Sequence, residues 1–181
     1  MREMVVKSSF GIAVILVLAV FSGIVACDLL PKEPKKVDFL DKSFAVLMPK
    51  SWSLKSDLND QADLQMGNPF KEAYTIIISE NKMDFDDISL EEHSDLTRSL
   101  IQRGLKGYHE SDPEIIDMGD ILAIRYRLTG SLDGINLVYW HVTLETETHY
   151  HQMILWSLKS KFMKNEADFN SVIHSFEVLD G

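Results

Sequence analysis

The chain has 181 residues, of which 45% are hydrophobic, 25% charged and 9% aromatic, a length and mix that suit one globular domain with an appendage. Nine Gly and five Pro exclude collagen-like and low-complexity classes, and the apolar content excludes disorder as the state of the whole chain. A formal charge of −10, from 18 basic and 28 acidic side chains, argues against a broad nucleic-acid-binding surface.

Arg2 and Lys7 precede an apolar run of 17 residues, Phe10 to Ala26. A basic start, an apolar middle and a small residue at the exit make the layout of a secretory signal peptide. A membrane helix of about 17–25 residues would share that length, so the next residue decides. Cys27 is the single cysteine, which excludes an internal disulfide and a Cys-rich zinc site. Ile24-Val25-Ala26-Cys27 resembles the lipobox of bacterial lipoproteins, in which the cysteine thiol takes a diacylglycerol group and the signal is cut just before it. The resemblance implies a signal peptide over residues 1–26, lipid attachment at Cys27, a lipidated tether over 27–36 and a folded domain over 37–181. Two or more acyl chains, at about 0.8 kcal/mol per buried CH₂, hold a protein stably on a bilayer. The mature chain loses Arg2, Lys7 and Glu3 and keeps 16 basic and 27 acidic side chains, so acyl chains rather than surface charge would hold it. Asp28 resembles the retention signal of inner-membrane lipoproteins in enteric Gram-negative bacteria, which implies a lipid-anchored domain facing the periplasm there.

Beyond the tether, Phe44 to Met48 is a short apolar strand stopped by Pro49 and followed by Trp52. Leu64 and Met66 alternate in a weaker strand, and Ala73 to Ser79 is β-branched and nearly continuous, as a strand buried on both faces should be. Ser89 and Glu92 form a capping box that opens a helix, with Leu96, Leu100, Ile101 and Leu105 expected on its buried stripe and Gly104 and Gly107 at its end. Ile121 to Thr129, Ile135 to Leu144 and Tyr150 to Leu158 read as three strands, the first two joined by a turn containing Asp133-Gly134. A last helix opens near Asn165, with Asp168 in its first turn, and buries Phe169, Val172, Ile173 and Phe176. Strands that arrive in hairpins with few helices predict an α+β fold, a mainly antiparallel sheet. Trp52, Ile77, Leu100, Trp140 and Phe176 are the expected core.

Phe44, Pro49 and Trp52 match an F-x-x-x-x-P-x-x-W opening, and Ser175-Phe176 matches a closing Ser-Phe. In that order of elements the chain resembles the PsbP-like bacterial lipoproteins (DcrB-like), relatives of the photosystem II PsbP subunit and of a yeast Ran-binding protein. The resemblance spans Val37 to Val178. It implies an α/β/α sandwich with helices on both faces of the sheet and a role in protein association, with no active site carried over.

His149 and His151 alternate on one strand and share a face. His141, on the neighbouring strand, joins them if the turn is centred on Thr146; centred between Thr146 and Glu147, it pairs with Gln152 and turns away. A three-histidine face would suit zinc or copper, but no carboxylate is placed to complete it. His93 and His174 read as surface or packed helix residues. Asp84 to Asp87 with Glu91 and Glu92 fail the EF-hand pattern and favour a helix start instead. Trp52, Trp140 and Trp156 read as core more readily than as a ligand site. No nucleophile elbow, phosphate loop or HExxH helix occurs in the sequence. The expectation is a non-enzymatic, membrane-tethered extracytoplasmic lipoprotein with no cofactor and no nucleic-acid partner, which binds or supports another envelope protein. The alternative is a lipoprotein that binds a small ligand or a metal through the hairpin histidines or an aromatic cleft.

Overall fold

The computed structural model describes residues 33–179. Cys27, Asp28, the apolar run and the first part of the tether lie outside the described residues. Eleven strands and two α-helices follow in the order β1 Lys35–Phe39, β2 Phe44–Met48, β3 Ser53–Leu54, β4 Leu64–Asn68, β5 Ala73–Asn81, α1 Leu90–Gly104, β6 Lys106–Glu110, β7 Glu114–Asp117, β8 Leu122–Leu132, β9 Ile135–Glu145, β10 His149–Leu158, α2 Phe162–His174 and β11 Glu177–Val178. Eight strands form one sheet along the path β3-β4-β5-β10-β9-β8-β6, with β7 also paired to β8; β1, β2 and β11 form a second, small sheet. Every pairing is antiparallel. This is the expected α+β architecture.

Three of the strands make a continuous meander. The β8–β9 hairpin closes through Asp133 and Gly134, with φ of 51° and 82°, and Leu132 opposite Ile135. Both central residues of such a two-residue turn need positive φ, which Asp-Gly supplies at low cost. The predicted turn is therefore present, two residues tighter than Ser131 to Gly134. The strand β1 begins at Lys35, inside the span read as tether. Its lysines are exposed on the edge of the small sheet, and only Val37 and Phe39 point inward, so its apolar signal is two residues.

Successive residues of a strand face opposite sides, so the large sheet carries two cores. On one side, Trp52, Met66, Ile77, Trp140, Val142, Met153 and Leu155 pack with α2 and the small sheet. Trp140 meets Phe162 and Phe169 edge-on at 5.3 and 6.0 Å between ring centroids, and the Arg125 guanidinium lies 4.1 Å from its ring. Helix α2 starts at Phe162 rather than near Asn165 because Phe162 is fully buried against Trp140 and starts the helix without a side-chain cap. Asp168 thus lies beyond the first turn, where its carboxylate accepts from Trp52 Nε1 at 3.2 Å and Lys71 Nζ at 2.6 Å.

The opposite side holds α1, and here one expectation is corrected. The capping box is present, with Ser89 Oγ accepting from the Glu92 N–H and Glu92 accepting from the Ser89 N–H. The helix is turned about its axis, however. Leu96 and Leu100 are 50% and 57% exposed, whereas Leu90, His93, Ser94, Thr97 and Arg98 are buried. The sheet beneath explains the turn: it offers His141, Gln152 and Tyr126, polar or aromatic groups that find partners when buried. Leu100 therefore does not belong to the core. The other four expected core residues, Trp52, Ile77, Trp140 and Phe176, share one cluster.

Two substitutions test this packing. Trp140→Ala should lower unfolding stability by about 3–5 kcal/mol, as loss of a large buried aromatic does. Leu100→Gln should change it by less than about 0.5 kcal/mol, as at an exposed position. Urea unfolding of both variants checks the pair; a loss of about 2 kcal/mol or more at Leu100 would contradict the helix orientation.

Candidate functional site

The register of the last hairpin places the histidines. Glu145 pairs with Tyr150, His141 with Ile154 and His151 with Leu144, so the tip is Glu147-Thr148. Neither anticipated turn centre is used. Because His141 stands an odd number of residues from Leu144, it faces α1, while His149 and His151 face the small sheet. The three histidines therefore do not share one face of the sheet. Among the described residues, no three His, Cys, Asp or Glu side chains converge on a point that could hold a metal ion.

Each buried histidine is held by a structural partner. His151 bonds Ser79 Oγ through Nδ1 at 2.9 Å and lies 4.5 Å edge-on from Phe44 and 5.0 Å from Phe176, between the large sheet and the small one. His149 is half-buried beside it and bonds Thr148 Oγ1 through Nδ1 at 2.8 Å. Under α1, the Thr97 hydroxyl lies 3.0 Å from His93 O and 3.0 Å from His141 Nε2, and so bonds the helix to β9. The Glu80 carboxylate accepts from His93 Nε2 and from the Gln152 amide, both at 2.9 Å. Arg98 stacks 3.4 Å from the Tyr126 ring centroid and is held by Asp95 and Glu110. His174 is exposed on α2.

Burial sets the protonation of this seam. His141 is pushed down to about 3 by desolvation, with Arg98 and His93 adding charge repulsion; His151 is pushed down to about 3 by desolvation and by His149. Glu80 is held below the usual carboxylate range by its bond from His93, against the opposing effect of burial.

The tryptophans divide as the cores do. Trp52 and Trp140 are buried. Trp156 is half-buried on the α1 side, stacked on Tyr74 at 5.5 Å and Tyr139 at 6.3 Å. The helix ends over Gly130, against whose backbone Leu105 packs, and this leaves the corner of the sheet with Tyr74 and Trp156 uncovered beside a hollow of about 200 Å³. The acidic stretch after β5 forms a short 3₁₀ turn, Lys82–Asp84, and the approach to the α1 cap.

A larger cleft, of about 600 Å³, opens where four turns meet. Its walls are Ser43-Phe44 from the β1–β2 turn, Asp120 to Leu122 between β7 and β8, the Glu145 to Thr148 hairpin tip, and Val178-Leu179 at β11, with Lys82 bonded across to Glu145 at 2.9 Å. One wall is conformationally costly. Leu40, Asp41 and Lys42 have φ of 48°, 52° and 66° in succession, a left-handed stretch that costs about 1–2 kcal/mol per residue. It is held by the Ser43 N–H donating to Leu40 O at 3.0 Å and the Leu179 N–H donating to Ser43 O at 2.8 Å. None of these residues was a sequence candidate. They come from distant segments, and nothing in the local pattern marks left-handed backbone at a leucine.

The buried histidines predict acid sensitivity. Between about pH 6.5 and 3 the unfolded chain binds protons at His141 and His151 that the folded chain does not, so stability falls as pH falls, by up to about 1.4 kcal/mol per pH unit per group. Glu80 acts in the same direction at lower pH, since the stability its low pKa confers is lost once it protonates. Urea midpoints between pH 7 and 4.5 should decline, and His141→Gln should flatten the slope by about one proton. An unchanged slope in that variant would overturn the assignment.

No family model and no curated protein matches the sequence. Solved structures do match. The cyanobacterial PsbP of Synechocystis is similar over 86% of this chain and 99% of its own, at 12% identity and a TM-score of 0.58. LpqN of Mycobacterium tuberculosis, described as involved in cell envelope biogenesis, is similar over 81% and 91%, at 13% identity and a TM-score of 0.61. The Saccharomyces cerevisiae Ran-binding protein Mog1p is similar over 81% and 96%, at 11% identity and a TM-score of 0.58. The α+β sandwich described above is thus the PsbP-like fold, as the resemblance in the sequence implied.

Proposed function

We propose that the chain is a lipid-anchored, extracytoplasmic, non-enzymatic protein that binds or supports another protein of the cell envelope. The observation that carries the anchor is the position of the single cysteine, Cys27, directly after the apolar run and after Ala26. The binding role is supported by the fold, which is shared with a Ran-binding protein and with an envelope-biogenesis protein. The non-enzymatic reading is supported by how the histidines are used: His93 on Glu80, His141 on Thr97 and His151 on Ser79 are each engaged in holding two elements together.

A small-ligand role has one observation in its favour, the half-exposed Tyr74–Trp156 stack beside its hollow. It is the second reading; its metal version loses its three-histidine basis, because His141 lies on the other face of the sheet from His149 and His151.

The anchor is tested in cells fed radiolabelled palmitate. Wild type should take up label and run as the processed form; Cys27→Ala should take up none and accumulate as precursor, because the lipoprotein peptidase acts after lipid transfer. Label retained in Cys27→Ala would end the lipoprotein reading.

A further inference from the structure

The 600 Å³ cleft has the chemistry of a peptide groove, and we infer that it binds an extended segment of a protein partner carrying a lysine or arginine next to an apolar residue. The inference rests on the binding role proposed above and assigns it a surface and a partner chemistry.

Three independent features converge there. The first is charge. Asp120 and Glu147 stand exposed on two of the turns that line the cleft, and neither is in an ion pair among the described residues; the lysine in the wall, Lys82, is already engaged by Glu145. The whole chain is acidic as well, at −10, so a basic partner is drawn towards it at long range. The second is apolar surface in the same cleft. Leu122 is 49% and Val178 53% exposed, and both share its lining with the buried Phe44. A lysine or arginine can lay its methylene stem on such a surface while its head reaches a carboxylate.

The third feature is backbone. In the small sheet Glu177 pairs with Ala45 and Val178 with Phe44, and the Leu179 N–H donates to Ser43 O. Inward hydrogen bonding alternates along an antiparallel pair, so residues 177 and 179 bond towards β2, and the N–H and C=O of Val178 point away from it. Among the described residues, β11 is the last strand on that side of the small sheet. An added strand would pair there, its backbone held by Val178 and its alternate side chains read by the apolar surface and the two carboxylates. The strained Leu40–Lys42 turn fixes Ser43, and through it Leu179, in the position that presents this edge.

The test places a benzophenone side chain at Leu122, in the cleft, and separately at Leu96, exposed on α1, in the full chain expressed in its host and then irradiated. The expected photoproduct from Leu122 joins a protein segment in which mass spectrometry finds a lysine or arginine beside an apolar residue. Its yield should fall about tenfold in Asp120→Lys with Glu147→Lys, and less in Asp120→Asn with Glu147→Gln. Both carboxylates are exposed, so the fold should survive these changes, and an unchanged melting temperature verifies that. A photoproduct on lipid, on a second copy of this chain or on a segment without a basic residue would overturn the inference, as would a yield indifferent to charge reversal. Cross-links from Leu96 alone would overturn the cleft assignment and leave the binding role standing. Silence at both positions would count against both.

Discussion

Much of the molecule follows from one register, Glu145 opposite Tyr150 in the last hairpin. The two strands it aligns lie at the middle of the large sheet, so their alternation decides what each face offers. One face receives Trp140, Val142, Met153 and Leu155, and builds an apolar core against α2 and the small sheet. The other receives Tyr139, His141, Thr143, Tyr150 and Gln152, and α1 covers it with polar side chains, Thr97 bonding His141 and Arg98 stacking on Tyr126. A slip of one residue would turn one of the two strands over relative to the other, mix the two chemistries on each face and leave neither helix with a matching surface.

That constraint explains why α1 lies as it does. An amphipathic helix over an apolar sheet would bury Leu96 and Leu100. Over this sheet it buries His93, Thr97 and Arg98, because Glu80, His141 and Tyr126 are better partners for those side chains than water is for two leucines. The orientation was hidden in the sequence. The capping box at Ser89 and Glu92 is a local signal and was legible, whereas the buried face depends on other strands, from Glu80, 13 residues before His93, to His141, 44 residues after Thr97. The same division runs through the rest of the fold. The Asp133-Gly134 turn, the β5 and β10 strands and the burial of Trp52 and Phe176 follow from local pattern and were legible. Strand β1, with two exposed lysines, and β6 and β7, with one fully buried residue between them, carry too few buried positions to show an alternation.

The candidate site was the least legible part. Its walls come from residues 43–44, 82, 120–122, 145–148 and 178–179, five segments with no shared motif. The histidines drew the sequence reading because their spacing is regular. Regular spacing on a strand says that His149 and His151 share a face; it does not say what that face meets, and here it meets Phe44 and Phe176. Burial against those rings is what pushes His151 down to about 3, out of the range in which it would serve as a proton carrier at neutral pH.

The small sheet connects the core to the cleft. Phe44 starts β2, stacks with Phe176 at 5.8 Å, sits edge-on to His151 and also lines the cleft. The same ring therefore belongs to the core and to the surface on which we place a partner. The chain enters this sheet at Lys35, one end of a five-residue strand, and the cleft opens beside the turn at the other end. A change at Phe44 would disturb the surroundings of His151 and the cleft together.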